Sequence, residues 1–379
     1  MSGAEGAVRL CAVGDVVAFH REPESGHALV APFLRQMDVV IGQNERHYST
    51  RTDIFPIGGF TELTNPDHAA ALKLGNYHVL TFASNHLLDL GPEVLLETIS
   101  VLREQGFEVI GAGANIAEAR RPAVLERNGT RIGVLAYCSV LRPNYQAGPT
   151  SAGAAPMRAY THYHQWDFKP GTAPKVLTFP YPDDLAALVD DVRKAKADAD
   201  VVAVAMHWGL NGVRGTLAMY ERTVAHAAID AGADMVLGSG PHRLKGIEAY
   251  RSRPIFYSLG NFCFDQPRSV LDRGRRQSLE HTQHMDSQGW TYDPEYEEWY
   301  AVPAENRMSM IARVDIYGGR VQRVFFLPVM INKRAQPRIL TRSEPEFDVV
   351  VAYVKEITES QGIDTRFTVE GDEVAVALE

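Results

Sequence analysis

The sequence predicts an α/β fold built around parallel β-strands. Short apolar, β-branched runs alternate with helical patterns between residues 8 and 140, and the alternation resumes between residues 182 and 259. That order of elements is typical of βαβ units, which place helices on a largely parallel sheet. Five of the apolar runs also end in short polar islands. The carboxyl ends of parallel strands are where α/β proteins place their sites.

The first half of the chain predicts parallel strands followed by an antiparallel pair. Residues 65–67 supply an N-cap, a proline at the first helical position and an early acid, and Gly75 follows as a stop signal. Asn128-Gly129 separates two strand-like runs and is a hairpin signal. The predicted elements are a strand at 8–13, a helix at 26–37, a strand at 38–42, a helix at 69–74, a strand at 78–83, a helix at 92–105, a strand at 107–110 and paired strands at 123–127 and 131–137.

The second half contains two segments of different character. Residues 141–181 are rich in Pro, Gly, Ala and aromatics, and we interpret them as an ordered insertion because disordered linkers seldom carry so many large aromatics. Residues 266–306 are polar and loop-like. The predicted elements are a helix at 182–196, a strand at 201–206, a helix at 217–231, strands at 235–238 and 254–259, strands at 309–316 and 320–327 paired across Gly318-Gly319, a helix at 344–361 and a final small β pair. These elements predict a domain at 8–330 with insertions at about 141–181 and 266–306, and an extension at 331–379.

The composition is that of a globular protein whose charge does not suit nucleic acid. The chain has 379 residues, 45% of them hydrophobic, and a formal net charge of -9, whereas nucleic acid and anionic membranes attract a basic surface. Cys11, Cys138 and Cys263 lie far apart in apolar settings, which indicates reduced core thiols. The sequence shows neither an apolar run long enough for a membrane span nor a secretory signal pattern. We therefore expect a cytoplasmic protein; the oligomeric state is left open.

The polar islands carry the residue types of a metal centre. Carboxylates bind hard and borderline cations, asparagine offers a carbonyl oxygen, and histidine can ligate a metal or act as a general acid. Each residue alone has a simpler interpretation as a cap, turn or structural side chain. Their occurrence at successive strand ends favours a metal or catalytic rim. The islands are Gly14-Asp15, Asn44-Glu45, Asn85-His86, His207-Trp208-Gly209 and Gly238-Ser239-Gly240-Pro241-His242.

These islands and several further motifs occur in an order and spacing shared with a known family. The motifs are Gly14-Asp15-Val16, Asn44-Glu45, Ala83-Ser84-Asn85-His86 with Asp89 and Gly91, Gly111-Ala112-Gly113 with residues 117–120, His207-Trp208-Gly209, residues 230–234, Pro241-His242 and residues 254–262. In these residues the sequence resembles the CapA family, the bacterial poly-gamma-glutamate capsule synthesis proteins, which is related to the calcineurin-like metallophosphoesterases. The likeness runs from about residue 8 to residue 327.

The resemblance implies a four-layer α-β-β-α sandwich with a divalent metal site at the strand ends. By that resemblance Asp15 and Glu45 would hold one ion, and Glu45 would bridge toward a second ion held by Asn85 and His207. His242 would complete one coordination sphere. Carboxylate, amide and imidazole ligands suit one or two ions of Mn, Fe or Zn. His86 would protonate the leaving group, a metal-activated water would attack, and the glycine turn after the strand at 254–259 would bring Asn261 near the metals.

Two positions depart from the related proteins. Many family members carry a histidine where this chain has Ser239, and serine is a poor replacement for imidazole, so one ion is expected to bind weakly or not at all. The related phosphoesterases carry a histidine at the position of Val17. His20 lies three residues further along the chain and is a candidate substitute, assigned here to substrate binding.

Cations near the mouth would serve a hydrolase that acts on carboxylate or phosphate groups. We assign Arg142, Arg158, Arg243 and Lys245 to substrate binding, together with Asn44 beside Glu45. The alternative for each cation is ordinary surface charge. Arg243 and Lys245 follow directly after His242, so the turn that carries the ligand also carries positive charge.

Three functions fit these residues. The first is a metal-dependent hydrolase or transferase of the CapA type that acts on an amide bond, gamma-glutamyl or peptide-like, or on a phosphoester, in a small-molecule or peptide-like substrate. The second is a non-catalytic accessory protein that binds polyglutamate or a synthase partner, which the serine at position 239 favours. The third is a metallophosphodiesterase or phosphatase. The metal content of the purified protein separates the enzymes from the binding protein.

Overall fold

Two mixed β-sheets face each other in the computed structural model, which describes residues 6–18, 21–54, 56–57, 62–277, 283 and 293–379. The strands are β1 (Ala7–Val16), β2 (Val39–Asn44), β3 (His47–Tyr48), β4 (Leu63–Thr64), β5 (Val79–Thr81), β6 (Glu108–Ile110), β7 (Ala112–Gly113), β8 (Ala123–Arg127), β9 (Thr130–Cys138), β10 (Gly153–Ala154), β11 (Ala159–His164), β12 (Lys175–Pro180), β13 (Val201–His207), β14 (Met235–Ser239), β15 (Ile247–Tyr250), β16 (Arg253–Phe256), β17 (Met308–Tyr317), β18 (Arg320–Ile331), β19 (Pro337–Ile339), β20 (Phe367–Glu370) and β21 (Glu373–Val376).

Seven α-helices and three 3₁₀ helices lie in the described part of the chain. The α-helices are α1 (Ala31–Leu34), α2 (Pro92–Glu104), α3 (Ile116–Ala119), α4 (Pro182–Asp198), α5 (Met219–Ala231), α6 (Arg268–Gln277) and α7 (Pro345–Glu359). The 3₁₀ helices are Pro23–Ser25, Pro66–Gly75 and Ala304–Arg307. Among the residues that the structure describes, no helix combines the length and the apolar character needed to cross a lipid bilayer.

Each sheet combines a block of parallel strands with antiparallel strands, which lie on one side of the block in the larger sheet and on both sides in the smaller sheet. The larger sheet has nine strands in the order β20-β21-β18-β17-β1-β2-β5-β6, with β19 beside β18. The smaller sheet has six strands in the order β15-β16-β14-β13-β9-β8. Strands β1, β2, β5 and β6 run parallel, as do β9, β13, β14 and β16. The parallel neighbours bring the ends of β1 and β2, and of β13 and β14, side by side.

Strand β13 shows why four layers form. Its odd-numbered apolar residues, including Val201 and Ala203, belong to the core between the two sheets. Its even-numbered residues, including Val202 and Val204, pack in a second core with residues of α4 and α5. Strands buried on both faces read as continuous apolar runs. With α2 packed against the larger sheet, the order of layers is α-β-β-α, which confirms the predicted architecture.

Two predicted helices differ from the observed ones. The predicted helix at 26–37 is wrong, because the chain forms only the 3₁₀ turn Pro23–Ser25 and the four-residue α1. Pro32 lacks a backbone N–H and can stand only in the first turn of a helix. The predicted helix at 69–74 forms as the 3₁₀ helix Pro66–Gly75, and the Asn65 side chain caps it by accepting from the Asp67 N–H at 3.1 Å.

The two segments predicted as insertions contain ordered elements. The first carries β10 and the hairpin of β11 and β12, which is consistent with its aromatic content. The second contains α6 and the 3₁₀ helix Ala304–Arg307 where the sequence predicted only loop. The segment after residue 330 adds β20 and β21 to the edge of the larger sheet at β18.

Candidate metal centre

The five predicted metal ligands come from the strand ends of both sheets. Asp15 is the penultimate residue of β1, Glu45 follows β2, Asn85 follows β5 in a loop, His207 ends β13, and His242 lies in the turn after β14. These strands are parallel members of their sheets, so their carboxyl ends point to one rim. The structure brings all five side chains together there.

Two glycines let the two sheets meet at this rim. A Cβ on Gly14 would lie 1.7 Å from the carbonyl oxygen of Gly260, so no side chain fits between the two backbones. The close approach allows the Asp15 N–H to donate to the Gly260 carbonyl at 3.1 Å and the Phe262 N–H to donate to the Asp15 carbonyl at 2.9 Å. The backbone of Asp15 is therefore fixed by the turn that carries Asn261.

One half of the centre consists of Asp15, Glu45 and His242. His242 Nδ1 lies 3.0 Å from Asp15 Oδ2, and His242 Nε2 lies 3.8 Å from Glu45 Oε2. One potential ligand atom from each of the three residues lies within 4.8 Å of the other two. Such separations are compatible with ligand bonds of about 2.0–2.2 Å to one shared ion.

The other half consists of Glu45, Asn85 and His207. His207 Nε2 lies 2.9 Å from Asn85 Oδ1 and 3.2 Å from Glu45 Oε1. The two oxygens of Glu45 therefore face different histidines, as expected of a carboxylate between two ion positions. Ser239 lies beside this half of the centre, and its Oγ lies 3.3 Å from His207 Nδ1.

Oxygen atoms without hydrogen-bond donors show that the site fits a cation. Asp15 Oδ1, Asn44 Oδ1 and Glu45 Oε1 are buried and accept no hydrogen bond from the described residues. Burying such acceptors without a partner is costly, and most buried polar atoms in proteins have one. A divalent ion would satisfy the carboxylate oxygens, and mixed oxygen and imidazole ligands suit Mn, Fe or Zn.

Burial and mutual repulsion shift the proton equilibria of these groups. Burial and the negative charge of Asp15 raise the pKa of Glu45 to about 8, against the attraction of His242 and Arg46. Burial lowers the pKa of His207 to about 4, which keeps its imidazole neutral. Burial also disfavours charge on His242, but the carboxylates of Glu45 and Asp15 outweigh it and raise the pKa to about 10. A divalent cation beside the two carboxylates would therefore stabilise their ionised forms.

His86 stands beside the ligands in a more open position. Its side chain is 29% exposed, and Nδ1 lies 2.7 Å from Asp89 Oδ2. Tyr145, from the first insertion, donates its hydroxyl to the other oxygen of Asp89 at 2.8 Å. Burial raises the pKa of Asp89, but the hydrogen bonds from His86 and Tyr145 and the charge of Arg142 lower it overall. Asp89 is thus held as an anion against the His86 ring.

The predicted substrate-binding cations occupy different environments. Arg142 is exposed, and its charge acts on Asp89 and Tyr145. Arg158 makes a bidentate pair with Asp184, with Nε to Oδ2 at 2.7 Å and Nη2 to Oδ1 at 2.8 Å. Its guanidinium also lies 4.9 Å over the Tyr181 ring. Of these two arginines, Arg142 is the one that acts on the group around His86.

Arg243 and Lys245 face inward, which corrects the expectation that their turn carries positive charge at the mouth. Lys245 is fully buried, and its Nζ donates to the carbonyls of Val213 and Thr216. Arg243 is 7% exposed and donates to Asn306 Oδ1 at 2.9 Å and to the Gly212 carbonyl at 3.2 Å. Both cations hold the loop after β13 instead of facing a substrate.

Four further positions singled out in the sequence are Asn44, Asn261, Val17 and His20. Asn44 is buried and donates its Nδ2 to the Arg46 carbonyl at 2.9 Å. Asn261 is 1% exposed, and its Oδ1 lies 2.8 Å from His242 Nδ1. Val17 is buried in the core, and its N–H donates to the Cys263 carbonyl at 2.7 Å. His20 lies outside the described residues.

Sequence reasoning missed Tyr300 and Asn306, which lie behind His242 and Asn261. The Tyr300 hydroxyl accepts from Asn261 Nδ2 at 2.6 Å, and Asn306 Nδ2 donates to the His242 carbonyl at 2.9 Å. Both residues are in the polar segment at 266–306, which lacks a helical or strand period. No motif in the sequence marks either of them.

Comparison with known proteins gives the family. Residues 9–266 match the family model described as "Bacterial capsule synthesis protein PGA_cap". The chain belongs to the PGA_cap family. The match covers more than half of the chain and confirms the resemblance to the CapA proteins that the motifs indicated.

The curated relatives of this PGA_cap protein are longer than the region they share with it. The PGA biosynthesis protein CapA of Bacillus subtilis is 29% identical over 239 residues, covering 62% of this chain and 56% of that protein. An uncharacterized Sinorhizobium fredii protein, y4uA, is 30% identical over 316 residues, covering 69% of this chain and 67% of that protein. The probable polyglutamine synthesis accessory protein Rv0574c of Mycobacterium tuberculosis is 33% identical over 205 residues, covering 53% and 49%. The chain thus spans about half to two thirds of these relatives.

Among solved structures, two similar chains have low sequence identity. A hypothetical protein from Thermus thermophilus has a TM-score of 0.44 and 14% identity, covering 84% of this chain and 98% of that chain. The calcineurin-like phosphoesterase YfkN of Bacillus subtilis has a TM-score of 0.42 and 10% identity, covering 94% of this chain and 98% of that chain.

Proposed function

We propose that this protein is a metal-dependent hydrolase or transferase that cleaves or transfers at an amide bond, gamma-glutamyl or peptide-like, or at a phosphoester. The observation that carries the proposal is the convergence of ligand atoms from Asp15, Glu45, Asn85 and the two histidines, with Asp15 Oδ1 and Glu45 Oε1 lacking any donor in the described structure. Such an arrangement is expensive unless a cation occupies it.

The ligands divide between two ion positions. Asp15, His242 and one oxygen of Glu45 would hold the first ion, and the other Glu45 oxygen, Asn85 and His207 would hold the second. A bound divalent ion lowers the pKa of a coordinated water toward neutrality and polarises the bond under attack. The protein supplies the fixed geometry through the Gly14 contact and excludes bulk water by burying Asp15, Glu45 and His207.

His86 is the proposed proton donor to the leaving group. Its partial exposure places it between the buried ligands and solvent, and Asp89 orients its ring through Nδ1 at 2.7 Å. Tyr145 in turn fixes Asp89. Arg142 is exposed next to this group and is the proposed contact for an anionic part of the substrate.

A non-catalytic accessory protein of polyglutamate synthesis is the second candidate. Ser239 favours it, because the hydroxyl contacts His207 and leaves the second ion position one imidazole short. The M. tuberculosis relative is named as a probable polyglutamine synthesis accessory protein, which agrees with this candidate. A cytoplasmic location remains part of either proposal, supported by three buried, unpaired cysteines.

Metal content and turnover together test the proposal. The full chain, stripped with chelator and reloaded with Mn²⁺ or Zn²⁺, should hold one or two ions per molecule by elemental analysis. It should then hydrolyse one of three chromogenic probes: an aryl phosphate monoester, a bis-aryl phosphodiester or gamma-glutamyl-p-nitroanilide. Asp15→Asn should lose the first ion and turnover, and His207→Ala should lose the second ion and turnover.

Two matched variants control for non-specific damage. Asp184→Asn changes a buried aspartate that forms an ion pair with Arg158, and His226→Ala changes a part-buried histidine that contacts Glu248. Both should keep wild-type metal content. Stoichiometric metal retained in Asp15→Asn and His207→Ala would refute the assigned site, and metal binding without turnover of any probe would favour the accessory role.

A further inference from the structure

We infer that Tyr300 and Asn306 are positioning residues that fix the tautomer of His242, so that Nδ1 carries the hydrogen and Nε2 is the nitrogen that ligates the metal. The inference rests on the proposed metal site. It assigns Asn261 to the same task, as the residue that connects Tyr300 to the His242 ring.

The backbone of His242 needs an external restraint. Its φ angle is 54°, in the left-handed region that residues other than glycine adopt uncommonly, although histidine, asparagine and aspartate do so more often than most. Asn306 Nδ2 donates to the His242 carbonyl at 2.9 Å and supplies that restraint. The orientation of the Asn306 amide is fixed in turn, because the Arg243 guanidinium can only donate and its Nε lies 2.9 Å from Asn306 Oδ1.

A second set of hydrogen bonds fixes the imidazole ring, starting from the backbone carbonyl of Asn306. That carbonyl can only accept, so Tyr300, 2.9 Å away, must use its single hydroxyl hydrogen on it. The Tyr300 oxygen must then accept the bond from Asn261 Nδ2 at 2.6 Å. This orientation turns Asn261 Oδ1 toward His242, where it lies 2.8 Å from Nδ1. An amide oxygen can only accept, so Nδ1 must carry hydrogen.

The surroundings of the ring agree with this assignment. The carboxylate oxygen Asp15 Oδ2 lies 3.0 Å from the same nitrogen, and its negative charge favours a hydrogen there. The opposite nitrogen, Nε2, faces Glu45 Oε2 at 3.8 Å, where a shared ion can lie between them. A ligating histidine commonly donates its other ring N–H to a protein acceptor, which fixes both tautomer and orientation.

Burial makes these hydrogen bonds hard to replace with water. Asn306 and Tyr300 are 0% exposed and Asn261 is 1% exposed. Losing one hydroxyl in such a network therefore leaves its partners unsatisfied instead of hydrated. Without Tyr300 as acceptor, the Asn261 amide is free to rotate and present its NH₂ group to His242, which would favour the wrong tautomer.

Metal affinity of three variants tests the inference. Tyr300→Phe removes only the hydroxyl, and Asn306→Asp keeps the acceptor for Arg243 but loses the donor to His242. Each should weaken Mn²⁺ binding by about 10- to 100-fold in a chelator competition. Tyr353→Phe is the matched control, because the Tyr353 hydroxyl is buried and has no hydrogen-bond partner in the described structure; it should bind Mn²⁺ like the wild type.

A spectroscopic measurement on the wild type keeps the test independent of variant folding. In protein labelled with ¹⁵N-histidine and loaded with Zn²⁺, the His242 ring should show a protonated Nδ1 and a ligated Nε2. Ligation through Nδ1, or wild-type Mn²⁺ affinity in folded Tyr300→Phe, would overturn the inference while leaving the metal site intact. Failure of the wild type to bind any of these metals would instead overturn the proposed function, and the inference with it.

Discussion

Glu221 offers a quantitative test of the electrostatics beneath the loop that follows His207. The residue is 0% exposed near the start of α5, where its Oε2 accepts from the Ala218 N–H at 2.6 Å. Burial raises its pKa from 4.5 to about 7, although the Ala218 hydrogen bond and the Lys245 ammonium act in the opposite direction. We predict that Glu221→Gln flattens the dependence of stability on pH, because glutamine mimics the protonated acid and keeps an acceptor for Ala218.

The sign and size of the effect follow from linkage. The unfolded chain releases the Glu221 proton near pH 4.5, whereas the folded chain keeps it up to about pH 7. The stabilisation by protonated Glu221 is therefore fully present below pH 4.5 and is lost as the pH rises through about 7. A tenfold change in a proton equilibrium is worth about 1.4 kcal/mol. Between pH 5 and pH 8 the wild type should lose about 2 kcal/mol of unfolding free energy relative to Glu221→Gln.

Denaturant unfolding at several pH values measures this difference. Wild type and Glu221→Gln are compared at pH 5, 6, 7 and 8 with chelator present, so that metal binding does not contribute. Other titrating groups are common to both proteins and largely cancel in the difference. Exposed Glu126, changed to glutamine, should follow the wild-type profile. Parallel profiles for wild type and Glu221→Gln would refute the reasoning.

Three further predictions concern single contacts at and near the centre. Gly14→Ala should prevent stable folding, measured as loss of the cooperative unfolding transition, because its Cβ would lie 1.7 Å from the Gly260 carbonyl oxygen. Asn65→Ala should lower the unfolding free energy by about 1 kcal/mol, since it removes the cap to Asp67 N–H, and a wild-type midpoint would contradict this. His86→Gln should retain metal but slow turnover roughly 10²- to 10⁴-fold for substrates with poor leaving groups. Turnover of activated aryl esters should fall much less, because their leaving groups need no proton. Equal losses of turnover for both kinds of substrate would exclude a proton-donor role.

The sheet and the ligand rim were predictable because they depend on short-range pattern. Strand β13 is a continuous apolar run that ends at His207, and its two faces enter two different cores. Strand-end polarity therefore indicated the residues that converge at the rim without knowledge of the tertiary contacts. The prediction of a helix at 26–37 was wrong. An apolar pattern alone does not show whether a helix can continue, and Pro32 can stand only in the first turn of a helix.

The supporting residues of the centre were not predictable in this way. Tyr300 and Asn306 lie near the end of a long polar segment that comes back to the site. Tyr300 is 39 positions from its partner Asn261, and Asn306 is 64 positions from His242, and contacts over such separations produce no periodic pattern in the sequence. The environment of the Lys245 ammonium was also not predictable from the sequence. Its position three residues after His242 indicated a cation at the mouth, yet tertiary packing turns its ammonium onto the carbonyls of Val213 and Thr216.

Ser239 determines which nitrogen of His207 faces the proposed second ion position. Its hydroxyl lies 3.4 Å from the Met206 carbonyl and 3.3 Å from His207 Nδ1. Because the carbonyl can only accept, the hydroxyl hydrogen goes to Met206 and the oxygen accepts from His207 Nδ1. The Nε2 lone pair of His207 is then directed at Asn85 and Glu45, where the second ion would lie. Ser239 thus orients His207 without offering an imidazole of its own, so the ion that Asp15, Glu45 and His242 would hold should be the more tightly bound of the two.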